Sequence, residues 1–298
     1  MKIGLQIVEF DWPGNPGNVG RKLSDIAGAA DEAGFASLWT MDHLFQMDMP
    51  DLGVSPEDPM LESYTTLGYL VSVTKRVRLG SMVTGVIYRN PGHLIKTVTT
   101  LDVLSGGRAY FGIGAAWYER ESLGLGYPFP NMTERMERLE ETLRIAKLMW
   151  SGEVKPYTGK HYRLAEPMNN PLPLSKPHPP ILVGGVGEKK TLRLVAKYAD
   201  ACNLYTPPFI SWEDMTRKLD VLKRHCEEAG RPYEEIERTA LGVVKLGEGG
   251  MSVPEFIALC RKLADEGIQH FIVSMPDTHD IKPIELIGRE IIPEVAGF

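Results

Sequence analysis

The chain is short of cysteine: three thiols, Cys202, Cys226 and Cys260, are scattered through 298 residues. An odd, widely spaced set makes neither a disulfide framework nor a Cys-x-x-Cys zinc site, and it fits a reducing, cytoplasmic setting. Long apolar runs are missing as well. No stretch approaches the ~20 residues that a membrane-spanning helix needs, so no membrane association is expected. The N-terminus, MKIGLQIVEFDW, turns acidic after a few apolar residues and lacks the features of a secretory signal. Positive charge is in deficit, with 33 Lys+Arg against 39 Asp+Glu and a formal net charge of −6. With no basic run or stripe, nucleic-acid binding is not expected. The chemical signatures that are absent exclude further classes. There is no His-x-x-x-His or carboxylate–His spacing for a metal, no Gly-x-Ser-x-Gly elbow, no P-loop and no Gly-x-Gly-x-x-Gly fingerprint.

What is present is a regular alternation. Short runs rich in β-branched and apolar residues read as strands at Ile3–Val8, Ser37–Thr40, Val77–Thr84, Ala109–Ile113, Ile181–Val183, Ala201–Leu204, Thr239–Lys245 and His270–Ser274. Segments with helical spacing follow them at Val19–Ala33, Leu61–Thr74, His93–Leu104, Thr133–Trp150, Lys189–Tyr198, Trp212–Ala229, Pro254–Glu266 and Pro283–Ile292. Glycines after Ala33, Ala229 and Glu266 mark helix ends, and Asn131 precedes the charged helix. Eight strand–helix units predict a (β/α)8 barrel in one domain covering residues 1–298, with an open doubly wound sheet, which usually has fewer strands, as the alternative. Residues 151–180, rich in proline and aromatics, break the rhythm. They read as an insertion: a hairpin around Thr158 and Gly159, then an extended strap.

In such a barrel the site lies at the C-terminal ends of the strands. That rule selects Asp42 and His43 after the second strand, and the glycine loops at Gly112–Ala116 and Gly184–Gly187. Histidine is the side chain most easily poised for proton transfer near neutral pH. Glycine loops at helix starts let backbone amides approach an anion. Cys202, at the end of a strand, reads as a buried structural thiol.

These segments resemble the bacterial luciferase-like oxidoreductase superfamily over nearly the whole chain. The most specific stretch is TLDVLSGGRAYFGIGAAWYERE, from Thr100 to Glu121; SLWTMDHLF, VRLGSMVTGVIYRNP and PILVGGVGEKK support it. The resemblance implies a (β/α)8 barrel with an insertion after the fourth helix, and a homodimer. It implies a cofactor that is flavin mononucleotide (FMN) or the deazaflavin coenzyme F420. The Trp39–His43 segment looks like the F420-dependent branch. By that resemblance Asp42 orients the cofactor ring and His43 is the proton donor or acceptor. Ser81, Met82 and Thr84 lie against the ring. Gly112, Gly114, Ala115 and Ala116, with Gly184, Gly185, Val186 and Gly187, hold its phosphate. A cis peptide at Ser81–Met82 is expected in a bulge that supports the ring, with Met82 and Thr84 on one side of the strand. Some sugar-phosphate dehydrogenases of this branch have an acidic residue where this chain has Trp117, with Glu119 and Glu121 out of register, so a different small-molecule substrate is expected. The leading reading is an F420-dependent oxidoreductase. The alternatives are an FMN-dependent monooxygenase or reductase, and a cofactor-binding barrel without catalysis.

Overall fold

The computed structural model describes residues 1–50, 53–276 and 278–298. In chain order, β1 (Lys2–Ile7) leads to α1 (Val19–Ala33) and β2 (Ser37–Thr40) to α2 (Ser63–Val73). Then β3 (Arg78–Ser81), with a two-residue continuation β4 (Thr84–Gly85), leads to α3 (Pro91–Leu104), and β5 (Ala109–Gly114) to α4 (Glu119–Gly124) and α5 (Met132–Ser151). An antiparallel hairpin, β6 (Tyr157–Thr158) and β7 (Arg163–Leu164), comes next. The remaining units are β8 (Ile181–Gly184) with α6 (Thr191–Tyr198), β9 (Ala201–Tyr205) with α7 (Trp212–Ala229), and β10 (Glu237–Val243) with α8 (Val253–Asp265). Last come β11 (His270–Ser274), α9 (Lys282–Leu286), a π turn (Ile287–Ile291) and α10 (Ile292–Val295).

The sheet closes. β1 pairs with both β2 and β11, β3 pairs with β5, and the ladder runs on through β8, β9 and β10, every pairing parallel. This is the (β/α)8 barrel that the alternation predicts. Parallel strands covered by helices outside and side chains inside are buried on both faces, and β2, β5 and β11 are buried throughout. Helix ends follow local chemistry. Gly34 caps α1 at φ +86°, and the Asn131 side chain accepts the Glu134 amide at 3.1 Å.

Inside the barrel, Trp39, Met82, Tyr110, Leu182, Ala201 and Ile272 form a cluster separate from the core between strands and helices. Gly80 makes room for the indole: a Cβ there would stand 2.6 Å from Trp39 Cζ3. The hairpin is fastened to α5 by Glu141, whose carboxylate accepts the amides of Lys160 (2.8 Å), His161 and Tyr162 (3.1 Å).

The structure corrects three expectations. The strand expected at Val77–Thr84 is interrupted, because the three residues between Gly80 and Thr84 face the two between Tyr110 and Ile113, which is a one-residue bulge. The cis peptide lies at Met82–Val83, one bond later than expected. The extra residue also resets the alternation, so Met82 enters the barrel interior while Ser81 and Thr84 turn together toward α2, and Met82 and Thr84 do not share a side. The short α4 was not anticipated either; at six residues it is too brief to show a periodic pattern.

Candidate active site

β2 runs directly into Asp42 and His43 at the C-terminal mouth of the barrel, and both are held. Asp42 is buried. Its two carboxylate oxygens receive the Arg89 fork at 2.7 and 2.8 Å, and the Gly85 amide donates to one of them at 3.0 Å. Burial pushes the Asp42 carboxyl up, while Arg89 and the Gly85 amide pull against it. Arg89 also bonds Glu62, which caps α2 through the amides of Tyr64 and Thr65. The Asp42 carboxylate therefore ties the strand-2 mouth to the bulged strand, and any contact it makes with a cofactor ring is made alongside these bonds.

His43 has a partner that the motif did not reveal. Its Nδ1 lies 3.0 Å from Oε2 of Glu121, a fully buried carboxylate on α4. The other Glu121 oxygen accepts the amides of Leu44 and Phe45, and Tyr88 donates its hydroxyl to Oε2. Burial works to raise the Glu121 carboxyl; the bonds from His43, Tyr88 and Leu44 outweigh it and hold the group below the usual carboxylate range. An ionised carboxylate has no proton to give, so the hydrogen of this bond is on His43 Nδ1. The other ring nitrogen, Nε2, bonds to no described residue and is left for chemistry. Trp117 and Tyr118 pack edge-on against the imidazole, with ring centroids 5.6 and 5.9 Å away.

The remaining candidates divide. Met82 lies in the barrel interior. The Ser81 hydroxyl accepts from Ser63 at 3.0 Å and Thr84 pairs with the Tyr64 hydroxyl at 2.7 Å, so both are engaged with α2. Gly112, Gly114 and Gly184 sit beneath the bulge. A Cβ on Gly112 would meet the Ser81 carbonyl oxygen at 1.9 Å, and one on Gly114 or Gly184 would meet Val83 methyls at 2.9 Å. The bulge by itself requires glycine at Gly112 and favours it at Gly114 and Gly184. The turns beyond them are different. Gly185 adopts φ +112° and Ala116 φ +61°. The amides of Ala115, Ala116, Gly185, Val186 and Gly187 donate to no described residue. Two loops of unpaired N–H groups, one leading into α6, suit a phosphate-bearing cofactor. Cys202 is buried, which pushes its thiol up to about 12 and leaves it inert.

Residues 1–251 match the profile of the family described as luciferase-like monooxygenase. The chain belongs to that family. Among curated relatives of this luciferase-like chain, the F420-dependent glucose-6-phosphate dehydrogenase of Kineococcus radiotolerans is 31% identical over 226 residues, covering 73% of this chain and 62% of that protein. This chain thus spans about three-fifths of that relative's length. Among solved structures, the coenzyme F420-dependent tetrahydromethanopterin reductase of Methanopyrus kandleri superposes with a TM-score of 0.81 at 17% identity, over 99% of both chains. An F420-dependent secondary alcohol dehydrogenase bound to an F420–acetone adduct gives 0.82 at 17% identity, over 99% of this chain and 98% of that one. At these identities the structures speak for the luciferase-like barrel alone.

Arg89 and Glu62 escaped the sequence reading, and Glu121 entered it only as an acidic residue out of register. Arg89 carried one available signal: it is the only charged residue between Arg78 and Lys96, in a run that crosses the barrel mouth.

Proposed function

We propose that this protein is an F420-dependent oxidoreductase that transfers a hydride between the deazaflavin and a small organic substrate. The observation that carries the proposal is the His43–Glu121 pair: an imidazole with one nitrogen fixed on a buried carboxylate and the other unpaired, set between loops of free amides. F420-dependent relatives of the same family support the choice of cofactor. Bound F420 supplies the carbon that accepts or delivers the hydride. The amides of the Ala115–Ala116 and Gly185–Gly187 turns would hold its phosphate, and Met82 would face the ring from the barrel interior. His43 Nε2 takes the hydroxyl proton as a substrate alcohol becomes a carbonyl, and returns it in the reverse direction. Glu121 keeps Nδ1 protonated, so Nε2 is the nitrogen that exchanges.

Titration of the purified protein with F420 and, separately, with FMN tests the cofactor. Stoichiometric F420 uptake is expected, read from the single deazaflavin band. Tight FMN binding with negligible F420 binding overturns the reading, and tight F420 binding without turnover on any alcohol or carbonyl favours a non-catalytic barrel.

The phosphate loop can be tested separately. At φ +112° a β-branched side chain is excluded. Gly185→Val is therefore expected to weaken F420 binding by about tenfold or more as the loop rebuilds, while circular dichroism stays unchanged because the residue is exposed. Unchanged affinity would place the phosphate at Ala115–Ala116.

A further inference from the structure

The surroundings of His43 are not neutral toward substrates. Among the described residues, the loop from Met41 to Glu62 carries five carboxylates, Asp42, Asp48, Glu57, Asp58 and Glu62, and no lysine or arginine. Among the described residues, the arginines that bond it are engaged: Arg89 by Asp42 and Glu62, and Arg120 by Asp48 at 2.6 Å. A phosphorylated or carboxylated substrate needs charge-assisted donors for its anion, and a mouth of this sign repels it before contact. The exposed lysines Lys189 and Lys190 belong to the other side of the mouth, at the amide loop that suits the cofactor's own phosphate.

Beside the imidazole stands an indole. Trp117 is 55% exposed, stacks on Tyr118 with ring centroids 5.1 Å apart, and abuts the His43 ring. A large aromatic left open to water beside a proton-transfer group offers an apolar face to whatever that group acts on.

Resting on the function proposed above, we infer that Trp117 is the specificity-determining residue of the substrate site and that the substrate is an uncharged alcohol or carbonyl with an apolar body. Trp117 covers that body, and the carboxylate-rich loop excludes anionic substrates such as sugar phosphates. Specificity on this account has an attractive part in the indole and a repulsive part in the loop.

The test measures binding, without turnover, on wild type, Trp117→Ser and Trp117→Phe, each loaded with F420. Saturation-transfer NMR titrations use cyclohexanone as the neutral probe and glucose 6-phosphate as the anionic one. Cyclohexanone is expected to bind wild type, to bind Trp117→Ser about tenfold more weakly, and to be restored to within roughly threefold by Trp117→Phe. Glucose 6-phosphate is expected to give no transfer. Comparable binding of glucose 6-phosphate to wild type, or unchanged cyclohexanone affinity in Trp117→Ser, overturns the inference. The F420 titration of the same three proteins is read independently, with equal affinities expected. Failure of wild type to take up F420 defeats the cofactor reading, while the cyclohexanone comparison, run on the protein as purified, still decides the role of Trp117.

Discussion

Gly112→Ala is expected to lower the thermal midpoint by roughly 5 °C or more and to abolish cofactor uptake. The added Cβ would stand 1.9 Å from the Ser81 carbonyl oxygen and 3.1 Å from its carbon. Both are backbone atoms, so no rotamer change relieves the clash; β3 or β5 must move. Overpacking of a core costs about 1–3 kcal/mol and occasionally more, and a backbone-to-backbone contact belongs at the upper end. In a large domain each kcal/mol shifts the midpoint by roughly 2–4 °C. The same displacement moves Met82 and Val83, so the barrel interior loses its shape where a ring would rest. Gly114→Ala and Gly184→Ala are expected to be milder, since their clashes at 2.9 Å are with Val83 methyl groups that can rotate. Gly28→Ala is the control of opposite sign. It lies within α1 with nothing within 4 Å of the added carbon, and alanine in a helix gains about 0.5–1 kcal/mol over glycine. Differential scanning calorimetry of the four variants decides the matter. A Gly112→Ala midpoint within a degree of wild type would mean that the bulge does not depend on that glycine.

The bulge also marks where sequence reading stops. Strand–helix alternation is carried by residue periods of two and 3.6, and it survives small errors in boundaries, so the barrel was legible. α1 occupies the expected Val19–Ala33 span, because its buried stripe and its terminal Gly34 agree. A bulge is a difference in count between two paired strands, and neither strand alone contains it. Placing the cis bond one residue early is the natural error. The glycines that end β5 and β8 and open the following turn were legible as unusual, but their physical reason was not. Gly112, Gly114 and Gly184 make room for a neighbouring strand, whereas Gly185 and Gly187 belong to the turn with unpaired amides. Asp42 and His43 stand out in the sequence because adjacent residues at a strand end form a local pattern. Glu121 is 78 residues from His43 and comes near it only when β5 takes its place in the barrel. Arg89 is likewise joined to Asp42 across 47 residues. Partners of this kind are properties of closure, and a linear pattern does not contain them.

The pairing of His43 with Glu121 makes the second large prediction, and two variants separate its parts. His43→Ala removes the proton carrier, and kcat is expected to fall ~10²–10⁴-fold with F420 affinity largely unchanged, since the amide loops lie elsewhere. Glu121→Gln keeps the size and an oxygen for the Leu44 and Phe45 amides, but it turns an NH2 toward His43 Nδ1 and the Tyr88 hydroxyl. Two donors then face one another, the imidazole is driven to the other tautomer, and Nε2 carries the hydrogen in the neutral ring. A fall of roughly 10–100-fold in kcat with little change in KM is expected, the mark of a positioning residue rather than a binding one. Glu121→Asp, which keeps the charge, is expected to recover part of the loss. Stability should show the pair as well. The Glu121 carboxyl is held below its ordinary range, so its contribution is fully present above the unfolded-state value of about 4.3 and is lost as the pH falls through the lower folded value. Denaturant midpoints of wild type minus Glu121→Gln, measured from neutral pH downward, should therefore converge in acid. A difference that stays constant with pH, or a His43→Ala enzyme that keeps full kcat, would remove this pair from the mechanism.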